Sequence, residues 1–201
     1  LTKSLKDPAM VEERKKIGWL AIATLPAVAA ALLFKDFFDS APGRPVMVSG
    51  FLILTGLILF VPRLVKSGSS EVGLKHSLMM GMGQALAILP GVSRSGSTIA
   101  AGMLSGVKAE RAAEFSFLMS IPAIAGGFVL TMKDRIEEMG SVSEALKSCV
   151  TAPYLSGALA AAVVGLFAIY LVMGAVRRGK LEYFSYYCLT VGAIVIATSL
   201  L

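Results

Sequence analysis

Charge is scarce in this sequence. Only 16% of its 201 residues are Asp, Glu, Lys or Arg, against ~25% in an average globular domain, which is too little to cover one water-facing surface. Cysteine is nearly absent, and Cys149 and Cys188 alone cannot make a disulfide scaffold. His76 is the single histidine, and no acidic residue except Glu114 lies in an apolar run, so an obvious metal cage is excluded. Segments of about ten residues with alternating polarity are also missing, which argues against a membrane barrel. What is present is apolar: 56% of the chain is hydrophobic before its 20 glycines are counted, which excludes disorder. The composition belongs in lipid, and the fold class it predicts is an all-α polytopic membrane protein.

Five apolar runs are long enough to cross a bilayer: Ile17–Phe34, Val46–Val65, Ala112–Leu130, Tyr154–Val176 and Phe184–Leu201. At ~1.5 Å per residue each forms a rod matching a hydrocarbon layer ~30 Å thick. The first run is long for a signal peptide and four equally apolar runs follow it, so a cleaved leader does not fit. Lysine and arginine are unevenly shared among the connections. Residues 1–16, 62–75, 108–111 and 177–183 together hold 13, whereas 35–45 and 131–153 hold 5. The positive-inside bias puts the first group, and residue 1, in the cytoplasm, with Leu201 outside. The net charge of +6 then reflects basic membrane loops rather than a nucleic-acid surface. The whole chain, 1–201, reads as one integral membrane domain.

That assignment requires residues 74–107 to return to the face they left. The stretch is too long for one crossing and too short for two of ~20 residues plus a turn. Leu74 to Leu89 has helical periodicity, Pro90 and Gly91 break it, and Ser93, Arg94, Ser95, Gly96, Ser97 and Thr98 form a polar knot before Ile99 to Val107. The pattern predicts a re-entrant helix-loop-helix hairpin whose knot lines a pocket. The second half-helix is expected to start within the knot, capped by Ser95, Gly96 or Ser97. Its unpaired N-terminal amides and aligned dipoles suit an anion.

Arg94 carries the chemistry. An intramembrane guanidinium costs ~2.5–3.5 kcal/mol on insertion scales and needs a partner. Phosphate suits it, since the guanidinium fork binds bidentately and Ser93, Ser95, Ser97 and Thr98 offer hydroxyls. A pair with Glu114 is the structural alternative, although Glu114 also suits a dipole contact in the first turn of its own helix. Gln84, within an apolar helix, suits either an interhelical hydrogen bond or a ligand contact. His76, near the surface at the hairpin's start, reads as an interfacial residue rather than a base. Neither a G-x-S-x-G elbow nor a Walker lysine is present. Gly102 and Gly106 form a GxxxG, and Gly157, Ala161 and Gly165 recur at four-residue spacing, which predicts internal packing first and a homodimer contact second.

The run Pro90-Gly91-Val92-Ser93-Arg94-Ser95-Gly96-Ser97-Thr98-Ile99 resembles the undecaprenyl-diphosphate phosphatase family, the bacitracin-resistance membrane phosphatases. Gly81 to Leu86, Ala113 to Leu118 and Ile121-Pro122 support the resemblance. It implies hydrolysis of undecaprenyl diphosphate to the monophosphate and inorganic phosphate, recycling the lipid carrier of peptidoglycan synthesis in a multi-pass bacterial-type plasma membrane protein. It also implies an inverted repeat of two re-entrant hairpins. In such a site Arg94 and Ser93 are the catalytic candidates, and Gly91, Ser95, Gly96, Ser97, Thr98 and Gln84 bind the polyprenyl diphosphate. The family's divalent cation, Mg or Ca, is held by a glutamate-rich first hairpin that has no match here. The chain begins at Leu1 and resembles the C-terminal three-quarters or so of a member, so it is expected to be catalytically incomplete alone. A transporter or flippase of lipid-linked phosphate is the alternative, because a half-helix terminus binds an anion without having to cleave it. An inactive fragment or assembly partner is a third.

Overall fold

The computed structural model describes residues 8–34, 44–64 and 68–200. The expectations for residues 1–7, for Lys35 and Lys66 in their connections, and for Leu201 lie outside the described residues. Among the described residues eight helices follow in order: α1 (Pro8–Leu33), α2 (Pro45–Leu64), α3 (Leu74–Leu86), α4 (Arg94–Leu104), α5 (Ala109–Met139), α6 (Val142–Cys149), α7 (Ala152–Arg177) and α8 (Glu182–Ser199). The all-α class holds among the described residues, whose one extended feature is an isolated parallel bridge between Ser70 and Val107.

Among the described residues four helices are long and apolar enough to span a membrane: Arg14–Leu33 within α1, and α2, α5 and α7. The fifth expected span, α8, has 18 residues, but its first two turns carry Glu182, Tyr183, Ser185, Tyr186 and Tyr187, which lower its apolar character. α5 runs past Leu130 to Met139, where Gly140 ends it in a left-handed turn with φ of 67°. The expected 131–153 loop is thus largely helical. Its short α6 folds back on α5: Cys149 Sγ lies 3.7 Å from Met132 Sδ, and Arg135 donates to Ser148 Oγ at 3.1 Å and to the Tyr154 hydroxyl at 2.6 Å.

The two short helices α3 and α4 form the centre. α3 packs on α1, α4 packs on α2 and α5, and α8 lies along α2. Small residues permit these approaches. A side chain at Gly81 would come within 2.5 Å of the Ala23 carbonyl, and one at Gly102 within 2.9 Å of Ala112 Cβ. Met80, Ile99, Val107, Ala112 and Met119 are fully or almost fully buried between these elements. Burial of such side chains contributes about 1.5–3 kcal/mol each for the larger ones in water, and tight van der Waals contact replaces that term inside lipid.

α7 differs. Along it Leu155, Leu159, Val163, Leu166, Phe167 and Tyr170 are exposed. Among the described residues nothing lies within 4 Å of where a Cβ at Gly157 or Gly165 would sit, so these small residues make no internal contact there, contrary to the spacing argument. Gly102 of the GxxxG does pack against α5, but Gly106 serves a turn with φ of 97°, and a Cβ there would meet nothing within 4 Å among the described residues.

Candidate anion site at the start of α4

Helix α3 ends at Leu86, and residues 87–93 turn the chain before Arg94 starts α4. Gly91 is obligatory in that turn. Its φ is +102°, and a Cβ would sit 2.3 Å from the Val48 carbonyl oxygen of α2. That close approach lets α2 clamp the turn through Thr55, which is 1% exposed. Thr55 Oγ1 donates to the Gly91 carbonyl at 2.8 Å and accepts from the Ser93 amide at 2.9 Å.

The helix start comes two residues earlier than the expected caps. Ser93, in extended conformation, is the N-cap, and its Oγ accepts from the Gly96 amide at 3.1 Å. The polar knot is therefore the first turn of a helix, and that changes what its hydroxyls do. Ser97 Oγ donates back to the Ser93 carbonyl at 2.8 Å, and Thr98 Oγ1 bonds the Arg94 carbonyl at 2.8 Å. Both residues are buried, so these groups build the helix start instead of facing outward. Thr98 also meets Ser116 of α5 at 2.6 Å. With the Thr98 proton on a carbonyl, Ser116 is the donor of that pair. Gly96 spends its amide on the cap and lies against Leu59, which a Cβ would approach to 3.1 Å.

A smaller set of donors remains. Ser93 Oγ accepts a bond but keeps its own proton. Ser95 is half-buried, and neither its hydroxyl nor the amides of Arg94 and Ser95 have an acceptor among the described residues. Arg94 is half-buried, with Nη1 buried and unpartnered, and both polar atoms of the Gln84 amide are likewise buried without partners. The alternative pairing of Arg94 is absent. Glu114 bonds Arg111 at 2.9 Å, and Arg111 also reaches Glu71 at 3.2 Å. Because α5 begins at Ala109, Glu114 falls in the second turn, not the first. His76 caps α3: its Nδ1 accepts from the Gly73 amide at 3.1 Å, which engages the lone pair in the helix start.

The ends of the hairpin lie side by side. Ser70 N–H donates to the Gly106 carbonyl and Lys108 N–H to the Ser70 carbonyl, both at 3.2 Å. Three cavities lie away from the turn: one of about 340 Å3 is floored by Leu59, Met103, Val176 and Leu181, another of about 170 Å3 lies beside Trp19 and Arg111, and a third of about 400 Å3 lies beside Tyr170 and Tyr183. None of these three is lined by the 90–98 turn. A divalent cation does not fit the described residues either. No group of three His, Cys, Asp or Glu side chains converges among them, and the donors at α4 are hydroxyls, amides and a guanidinium, which attract anions. Thr55 and Ser116 are the residues that sequence reasoning missed. Each is a hydroxyl inside an apolar helix, and that oddity was the one signal available.

Comparison with known proteins identifies the family. The chain is 40% identical over 191 residues to an undecaprenyl-diphosphatase of Methanobrevibacter smithii, a match covering 92% of the chain and 66% of that protein. It is 41% identical to one of Syntrophotalea carbinolica, covering 92% and 69%, and 40% identical to one of Methanothermobacter thermautotrophicus, covering 90% and 98%. The chain thus spans about two thirds of the length of the first two relatives and nearly all of the third. A family model described as bacitracin resistance protein BacA matches residues 1–194, and the chain belongs to that family.

Proposed function

We propose that this chain binds the diphosphate group of a polyprenyl diphosphate, undecaprenyl diphosphate above all, and acts in its hydrolysis to the monophosphate and inorganic phosphate. The observation that carries this reading is the buried, unpartnered Nη1 of Arg94 at the first position of a helix. Free amides, an aligned dipole and the protons of Ser93 and Ser95 lie together at that helix start, and each favours negative charge there. Arg94 would bind phosphoryl oxygens bidentately and stabilise the charge that builds on the transferring group, while the serines orient it. The relatives' shared name supports the substrate class.

The same reading places α3 and α4 as a re-entrant hairpin. Thirteen residues of α3 rise roughly 20 Å, past the middle of a ~30 Å layer, and the bridge at Ser70 and Val107 brings the chain back to its entry level. α8 is then a fifth span, in a multi-pass protein of the plasma membrane related to an inverted-repeat architecture. In this reading Arg94 and the serines supply the phosphate-gripping part of the site. No group of three cation ligands converges among the described residues, and we expect the 201 residues to bind the diphosphate more readily than they turn it over. The substrate's prenyl tail stays in lipid against exposed helix faces.

The test is phosphate release from undecaprenyl diphosphate by the full-length protein with Mg2+ or Ca2+, wild type against Arg94→Lys. A loss of tenfold or more supports the role of the guanidinium fork, because lysine keeps only the charge. Equal rates remove Arg94 from the chemistry. Labelled lipid crossing liposomes without phosphate release overturns hydrolysis in favour of transport.

A further inference from the structure

We propose that Gln84 is a phosphate-binding residue that acts with Arg94 from the opposite arm of the hairpin. The proposal rests on the function above and adds a second group to its site. Gln84 is 3% exposed, and neither Nε2 nor Oε1 has a partner among the described residues. The ordinary use of glutamine in a membrane helix is a bond to a neighbouring helix, and Gln84 makes none.

The packing of the two arms sets where it stands. Met80 Sδ lies against the Cβ position of Gly102, and the Cβ position of Gly83 against the Ser97 carbonyl. α3 and α4 run antiparallel, so one turn on from Met80 brings Gln84 level with Thr98, about one turn from Arg94. The polar groups at that level are already engaged, since Thr98 and Ser116 bond each other and Thr98 bonds the Arg94 carbonyl. Two buried groups, on two arms whose backbone levels differ by about one turn, therefore lack partners among the described residues: Nη1 of Arg94 and the Gln84 amide. A phosphoryl group answers both. Its oxygens accept from Nη1 and Nε2, and Oε1 takes the hydrogen of a protonated phosphoryl oxygen or of a water bound to it. Leu or Met at position 84 would avoid burying an unpaired amide, so the amide stands against stability and for a ligand.

This gives a signature that a structural glutamine would not show. Full-length wild type, Gln84→Met, Gln84→Glu and Arg94→Lys would be compared in detergent micelles for farnesyl diphosphate affinity and for unfolding midpoint. Gln84→Met is expected to weaken binding about tenfold to a hundredfold, the range for a hydrogen bond to a charged group, with an unchanged or higher midpoint. Gln84→Glu is expected to bind more weakly still, because a carboxylate neutralises the guanidinium and repels the ligand. A Gln84→Met protein that melts lower and binds as wild type makes Gln84 structural and overturns the proposal. If Arg94→Lys loses binding while Gln84→Met keeps it, this inference fails and the function stands. If wild type does not bind, both fail.

Discussion

Replacing Thr55 by valine removes one oxygen and nothing else of consequence, yet that oxygen holds two backbone groups of the turn before Arg94. The Gly91 carbonyl would lose its donor and the Ser93 amide its acceptor, at 2.8 and 2.9 Å respectively. An unsatisfied buried backbone group costs about 1–3 kcal/mol. Gly91 and Ser93 are both half-buried, so each share falls at the low end, and together they come to about 2 kcal/mol. The loss should also be local. With the clamp released, Arg94 and the Ser95 amide no longer hold a single position, and an oriented anion site weakens when its donors must be reordered on binding. The assay is equilibrium unfolding in mixed micelles alongside farnesyl diphosphate affinity, measured where all variants are folded. Thr55→Val is expected to lose the stated stability and bind several-fold more weakly, while Thr55→Ser, which keeps the hydroxyl, recovers most of both. A valine variant with wild-type affinity in its folded state would refute positioning by Thr55, whatever happened to its stability.

Two further substitutions probe the same turn. Gly91→Ala meets both a φ of +102° and the Val48 carbonyl at 2.3 Å from the new Cβ; it is expected to cost about 3 kcal/mol or more, and an unchanged unfolding midpoint would contradict the close approach. Ser93→Ala removes the cap that accepts from Gly96 and is expected to cost about 1 kcal/mol. Ser93→Asp restores a cap but sets a carboxylate beside the guanidinium, so recovered stability with lost phosphate affinity is the expected pair of readings, measured by unfolding and by ligand titration.

Much of this architecture is legible along the chain. Lipid imposes a length of apolar residues and demands that backbone groups be satisfied locally, so runs such as Val46–Val65 and Tyr154–Val176 mark helices that the structure bounds at Pro45–Leu64 and Ala152–Arg177. Pro90-Gly91 followed by small hydroxylated residues likewise announces a broken helix and a fresh N-terminus, because cap and turn chemistry depend on residues three or four apart. The start of α4 was misplaced by two residues because four serines and threonines in six positions are all competent caps on local grounds. Only the clamp from α2 selects Ser93 among them.

The site's internal bookkeeping belongs to the tertiary structure. Thr55 reaches the turn across 36 and 38 residues of sequence, and Ser116 reaches Thr98 across 18. No periodicity encodes such partners. Glu114 could face Arg94 or Arg111 by sequence alone, and the rotation of α5 decides for Arg111, three residues away on its own helix. That choice leaves the Arg94 guanidinium without a carboxylate. The sequence by itself determined that a buried arginine stands at a broken helix. Packing of α2, α3 and α5 around α4 decided that Ser97 and Thr98 turn inward and that Arg94 and Gln84 remain unpaired, because whether a buried polar group meets a partner depends on which helix faces lie opposite it.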